Sequence, residues 1–117
     1  MAELRQYQTA GNRSPYATWF AELDSIAAAK VVKALTRLEA GNTSNVKAVG
    51  EGVSELKIDF GPGNRVYFGW DGVELIILLG GGTKKRQNAD IRRAQGYWSD
   101  YKVRKREAQK KAAEQCH

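Results

Sequence analysis

Between Glu55 and Trp70 the chain alternates charged and apolar residues on either side of a glycine-proline turn, and no other stretch limits the fold so sharply. Leu56, Ile58 and Phe60 interleave with Glu55, Lys57 and Asp59, the period-two signature of a strand with one buried and one exposed face. Gly61-Pro62-Gly63-Asn64 reads as a turn. Beyond it Val66, Phe68 and Trp70 are apolar, while Arg65 and Tyr67 fall on the other parity. Antiparallel pairing of Phe60 near Val66 then puts the apolar side chains on one face. The opposite, open face collects Glu55, Lys57, Asp59, Arg65 and Tyr67. A face holding carboxylates, two cations and a phenol can bind a phosphate and move protons around it.

The flanking segments supply something for the apolar face to pack on. Leu4 to Thr9 forms a short, weakly alternating strand. Ser14-Pro15 caps a helix carrying Tyr16, Trp19, Phe20 and Leu23, and Asp24 caps a second. In the second helix Ala27, Val31, Ala34, Leu35 and Leu38 follow helical spacing, and Gly41-Asn42 supplies a left-handed stop. After a polar loop through Asn45 a strand runs to Phe60, a second covers Arg65 to Trp70, and Asp71-Gly72 makes a two-residue hairpin turn into a third, Val73 to Leu79. Gly80, Gly81 and Gly82 end that strand and permit close approach of a ligand. A last helix begins near Asn88 and packs Ile91, Ala94, Trp98 and Tyr101 on the sheet, with Gln87 and Asp90 anchoring its start. Residues 1–101 thus read as one α+β domain, and residues 102–117 as a basic tail that is partly helical or mobile.

Composition narrows the function classes. Cys116 is the single cysteine and His117 the single histidine, so the sequence predicts neither an intramolecular disulfide nor a cysteine metal cluster, and no metal or other cofactor is expected. The longest apolar run, Leu75 to Leu79, is far too short to span a bilayer. Glu3 and Arg5 stand where a signal sequence would place its hydrophobic core, so a cytoplasmic protein without a membrane partner is expected. A formal charge of +6 favours polyanionic partners, with cations concentrated at Lys84, Lys85 and Arg86 and again beyond Lys102.

Three blocks carry a resemblance to a known family: WFAELDSIAAAKVVKALTRLEAGN, VKAVGEGVSELKIDFGPGNRVYF and LLGGGTKKRQNADIRRA. In order and spacing they resemble the RelE/ParE superfamily of toxins from type II toxin-antitoxin modules, closest to the HigB-like or addiction module killer branch. That resemblance implies an N-terminal strand and an αα-hairpin packed on a small antiparallel sheet with a C-terminal helix, the far face of the sheet being a shallow concave site. It also implies a metal-independent endoribonuclease that cuts mRNA on the ribosome. The partner it implies is a cognate antitoxin, a helix-turn-helix DNA-binding protein through which alone the complex reaches promoter DNA. By position Glu55, Lys57 and Arg65 match the ELR and GxR positions, and Lys84, Gln87 and Asp90 match GGxKxxQxxDI. Lys57 stands where arginine is usual, and Asn64 where an aromatic is common.

Cleavage without metal needs the 2′-hydroxyl deprotonated, the phosphorane charge stabilised and the leaving 5′-oxygen protonated. Arg65 is the candidate phosphate ligand, Glu55 or Asp59 the base, Lys57 a charge neutraliser or base, and Tyr67 and Lys84 the groups that protonate the leaving oxygen or hold the backbone. Asp59, Asn64, Lys85, Arg86 and Gln87 are candidate RNA contacts. The alternative is a ParE-like inhibitor that poisons DNA gyrase by binding and cuts no RNA.

Overall fold

Side-chain caps fix the first half of the chain. Ser14 Oγ accepts the Ala17 N–H at 3.0 Å and Pro15 opens α1 (Pro15–Ala21); Asp24 Oδ1 accepts the Ala27 N–H at 2.8 Å and starts α2 (Ser25–Glu39). Ala27, Val31, Leu35 and Leu38 are the buried stripe of α2, and Gly41, at φ 98°, turns the chain away from it. A computed structural model describes residues 2–115, with β1 (Glu3–Gln6) ahead of α1 and, after α2, β2 (Val46–Gly50), β3 (Val53–Lys57), β4 (Asn64–Asp71) and β5 (Leu75–Thr83). A 3-10 turn at Lys84–Arg86 leads into α3 (Gln87–Gln115).

The fold is α+β, as expected, around a five-stranded sheet of order β1-β5-β4-β3-β2. The sheet is mixed, because β1 joins β5 in parallel while every other neighbouring pair is antiparallel. The strand expected from Asn45 to Phe60 is in fact two strands. Gly50, Glu51 and Gly52 all take positive φ and fold it into a β2–β3 hairpin, a turn that the glycines on either side of Glu51 make accessible. Leu56, not Phe60, pairs with Val66, because the connection occupies residues 58–63, with Gly61 and Gly63 at positive φ. The slip spans an even number of residues, so each side chain keeps its predicted face. Phe60 is left 37% exposed.

At the other end Asp71 pairs with Leu75, so the hairpin loop has three residues and Val73 lies outside the strand. Gly80, Gly81 and Gly82 do not end β5 but continue it. Leu79 bulges, with Phe68 opposite Leu78 and Tyr67 opposite Gly80. Gly81 and Gly82 are needed because both faces are crowded there: a Cβ on Gly81 would lie 2.3 Å from the Trp19 ring, and one on Gly82 would lie 2.0 Å from Asp90 Oδ2.

Two cores sandwich the sheet. Leu56, Ile58, Val66, Phe68, Ile76 and Leu78 pack against Tyr16 and the stripe of α2. On the other face Val53, Tyr67, Ile77 and Leu79 meet Tyr7 and, from α3, Ala94 and Trp98, with Ile91 and Tyr101 at the margin. The Trp98 indole lies directly over Gly52 and Gly69. Tyr7 donates to Asp100, which also pairs with Arg104, and Tyr101 donates to Asp71, which also pairs with Lys105. These two clusters tie α3 to the sheet. From Lys105 to Gln115 the helix is exposed. Cys116 and His117, on which the disulfide and metal expectations turned, lie outside the described residues. No helix among the described residues is long and apolar enough to cross a membrane.

Candidate functional site

The face predicted to be open is largely closed, because α3 lies on it. Glu55, Arg65 and Tyr67 are 4%, 5% and 1% exposed. Cross-strand pairing places Glu55 opposite Tyr67 and Lys57 opposite Arg65. Glu55 Oε1 lies 3.0 Å from Arg65 Nε, accepts Gln87 Nε2 at 2.7 Å, and is 3.5 Å from the Tyr67 hydroxyl. The Arg65 Nε contact is an ion pair without hydrogen-bond alignment, and Nη1 donates to the Gly63 carbonyl at 2.7 Å. Arg65 and Glu55 therefore balance each other's charge under cover. This corrects the expectation of a solvent-facing phosphate clamp beside a solvent-facing base.

Tyr67 is changed in the same way. Burial, then the charges of Glu55 and Asp90, push its phenol well above the usual tyrosine range, so it holds its proton at any ordinary working pH. Asn64 is also buried, at 2% exposure, and its amide oxygen lacks a hydrogen-bond partner. An interior position replaces the open RNA contact read for it.

The remaining candidates form an accessible rim over this interior. Lys57 is half-exposed and sits 3.7 Å from the open carboxylate of Asp59. Lys84, Lys85 and Arg86 are exposed on the 3-10 turn. The Lys84 stem and Arg65 Nη1 both flank Gly63, 3.7 Å and 3.3 Å from where its Cβ would stand. Gln87, half-buried, links this turn to Glu55. The structure thus gathers Tyr67 and Gln87, by hydrogen bonds, and Arg65, by an ion pair, around Glu55, with the rim cations at the same end of the sheet.

The GGxKxxQxxDI block links the buried pair to the rim through Gln87. Residues 18–96 match the family described as "Phage derived protein Gp49-like (DUF891)". The chain belongs to the Gp49-like family. This is one of the RelE and addiction-module killer families. An uncharacterized protein of Haemophilus influenzae is 41% identical over 78 residues, which cover 66% of this chain and 79% of that protein.

In this Gp49-like chain, sequence reasoning left Asp90 as a helix anchor only. The residue is 8% exposed, and Oδ2 has no hydrogen-bond partner. Burial raises its pKa, against the pull of Arg93 and Arg86. The signal available in the sequence was the glycine at position 82, whose missing side chain makes room for this carboxyl.

Proposed function

We infer that this Gp49-like chain is the toxin of a type II toxin-antitoxin module, of the HigB-like branch, and that it is a metal-independent endoribonuclease acting on mRNA at the ribosome. The observation that carries the reading is the cationic rim of Lys57, Lys84, Lys85 and Arg86, held by the strand pairing and by the Gln87–Glu55 bond at one end of the sheet. Four cations at one end of the sheet suit a phosphodiester backbone and the extra charge of its transition state. In the reaction the 2′-oxygen attacks phosphorus as it loses its proton, the P–O5′ bond breaks, and the departing 5′-oxygen is protonated. The products are a 2′,3′-cyclic phosphate and a 5′-hydroxyl. Lys57 and Lys84 stabilise the phosphorane, and Asp59 is the exposed carboxylate beside Lys57 for the proton transfer. A solvated carboxylate is a weak base, which suits an enzyme that relies on the ribosome to position its substrate. The Glu55–Arg65 pair orients strands β3 and β4 beneath the rim. A cognate antitoxin would silence the chain by covering the rim.

Primer extension on a defined mRNA in a purified translation system tests this. The wild type is expected to cut only when ribosomes are present, and Lys57→Ala/Lys84→Ala to cut at least a hundredfold more slowly while remaining folded. Intact mRNA with the wild type, alongside growth arrest in cells, would move the reading to gyrase inhibition.

A further inference from the structure

A concavity lined by Tyr67 adjoins the cationic rim at Arg86. Strand β1 stops at Gln6, opposite Leu78, so from Gly80 to Thr83 β5 has β4 on one side and no strand on the other. α1, through Trp19 over Gly81, and α3, through Asp90 over Gly82, flank this stretch on opposite faces. Between them runs a cleft of about 640 Å3, within the usual size range for small-molecule sites.

Three features of its lining define the chemistry of an occupant. Arg13, Arg86 and Arg93 stand around it; among the described residues Arg13 and Arg86 form no ion pair, and Arg93 has only a loose one, 3.6 Å from Asp90. Glu22 and Asp90 are the carboxylates of the lining, so its cations prevail by three to two and an anion is favoured. Trp19 from α1 and Tyr97 from α3, both half-buried, present aromatic surface, as a flat ring requires. Asp90 also lines the cleft, its side chain more than nine-tenths buried, with Oδ2 enclosed over Gly82 without a donor and Oδ1 3.6 Å from Arg93. A carboxylate so placed calls for a ligand that donates hydrogen bonds.

Anion, flat ring and paired donors together describe a nucleotide, and the donors single out one base. The Watson–Crick edge of guanine carries N1–H and an N2 amino hydrogen side by side, matching the two oxygens of a carboxylate. Adenine and cytosine each set a ring acceptor beside their single amino group, and uracil flanks its one N–H with two carbonyls. We propose that the cleft between α1 and α3 is a binding subsite for a guanine nucleotide, with Asp90 reading the base edge, Trp19 and Tyr97 flanking the ring, and Arg86 taking the phosphate.

This deepens the ribonuclease reading and rests on it for the biological ligand. Arg86 belongs to both the cleft and the cationic rim, so an RNA strand seated with guanine in the cleft has its next phosphate led toward Lys84.

Mononucleotide binding needs no ribosome and no cleavage, so the subsite and the nuclease can fail separately. Calorimetric titration of the full chain with 5′-GMP, 5′-AMP, 5′-CMP and 5′-UMP is expected to show GMP binding at least about tenfold more tightly than the others, as expected of a bidentate base contact. Inosine 5′-monophosphate, which lacks the N2 amino group, should lose most of that margin, and this result depends on no mutant folding. Asp90→Asn should abolish the preference for GMP, and Arg86→Ala should weaken all four nucleotides in parallel. Equal binding of the four nucleotides and inorganic phosphate would reduce the cleft to an anion site and overturn the assignment. So would undiminished binding of inosine monophosphate, or no binding at millimolar concentration.

Discussion

Removing the Arg65 side chain should unfold the site before it reports on any chemistry. Glu55 and Arg65 have side-chain exposures of 5% and 6%, and Arg65→Ala would leave the Glu55 carboxylate enclosed with only Gln87 at 2.7 Å and the longer Tyr67 contact at 3.5 Å. Stripping one partner from a buried ion pair costs about 3–5 kcal/mol, because the remaining charge has lost both water and its counter-ion. A domain of this size has about 5–15 kcal/mol in total. Urea unfolding followed by tryptophan fluorescence measures the loss; with a slope near 1.5 kcal/mol/M the midpoint should fall by roughly 2–3 M. Replacing both partners, as in Glu55→Leu/Arg65→Met, should recover most of the loss, since a well-packed apolar pair removes the stranded charge. Lys57→Ala, on a half-exposed side chain, should stay within about 0.5 kcal/mol of the wild type. An Arg65→Ala protein less than about 1 kcal/mol below wild type would refute the reasoning, and would mean that water reaches Glu55. If the loss is as large as expected, an inactive Arg65→Ala protein says nothing about catalysis, and the rim lysines are the substitutions to use.

Two further perturbations test the packing and the titration of the interior. Gly69→Ala puts a methyl within 2.6 Å of the Trp98 ring, which is itself stacked on Tyr101 at 5.2 Å, and should cost about 1–3 kcal/mol or more by overpacking. Gly96→Ala, in α3 with nothing within 4 Å of the new methyl, should add about 0.5–1 kcal/mol; equal effects of the two in thermal melts would contradict the packing described. Asp90 has a raised folded pKa, so its ionisation lowers stability as pH climbs from the ordinary aspartate value through the raised one. Asp90→Asn should therefore gain on the wild type between pH 3 and pH 7. Asp71 and Asp100 have lowered folded pKa values, held by Lys105 and Tyr101 and by Tyr7 and Arg104, so their contribution is present above the ordinary value and fades as pH drops below it. Parallel stability–pH curves for wild type and Asp90→Asn would refute the burial of that carboxyl.

Local chemistry made much of this fold legible. Ser14, Asp24 and Gly41 mark the helix ends because each acts on its own neighbours, and the parity of Leu56 and Val66 assigned the faces even though their register was four residues off. What could not be read was what covers each face. Alternation shows that Glu55, Arg65 and Tyr67 share a side of the sheet, but the same pattern serves a wet face or one roofed by a helix. The roof depends on Trp98 finding Gly52 and Gly69, a contact between residues far apart in the chain. Glycine runs misled for a related reason. In β5 Gly81 and Gly82 mark crowding by Trp19 and Asp90 rather than the end of the strand, and a glycine looks the same in either role.

The parallel pairing of β1 with β5 also bears on the order in which the molecule comes together. Glu3 waits for Leu75, and closing so long a loop costs about 4 kcal/mol of chain entropy before any contact compensates. The strands from β2 to β5 are joined by short hairpins and can associate as they are made, whereas β1 can dock only after them. The turn bearing Lys84 and the helix bearing Asp90 follow later still. Synthesis runs from the N-terminus, so a chain interrupted before α3 carries all five strands and the rim cations but lacks the Gln87 bond that holds them and one wall of the cleft.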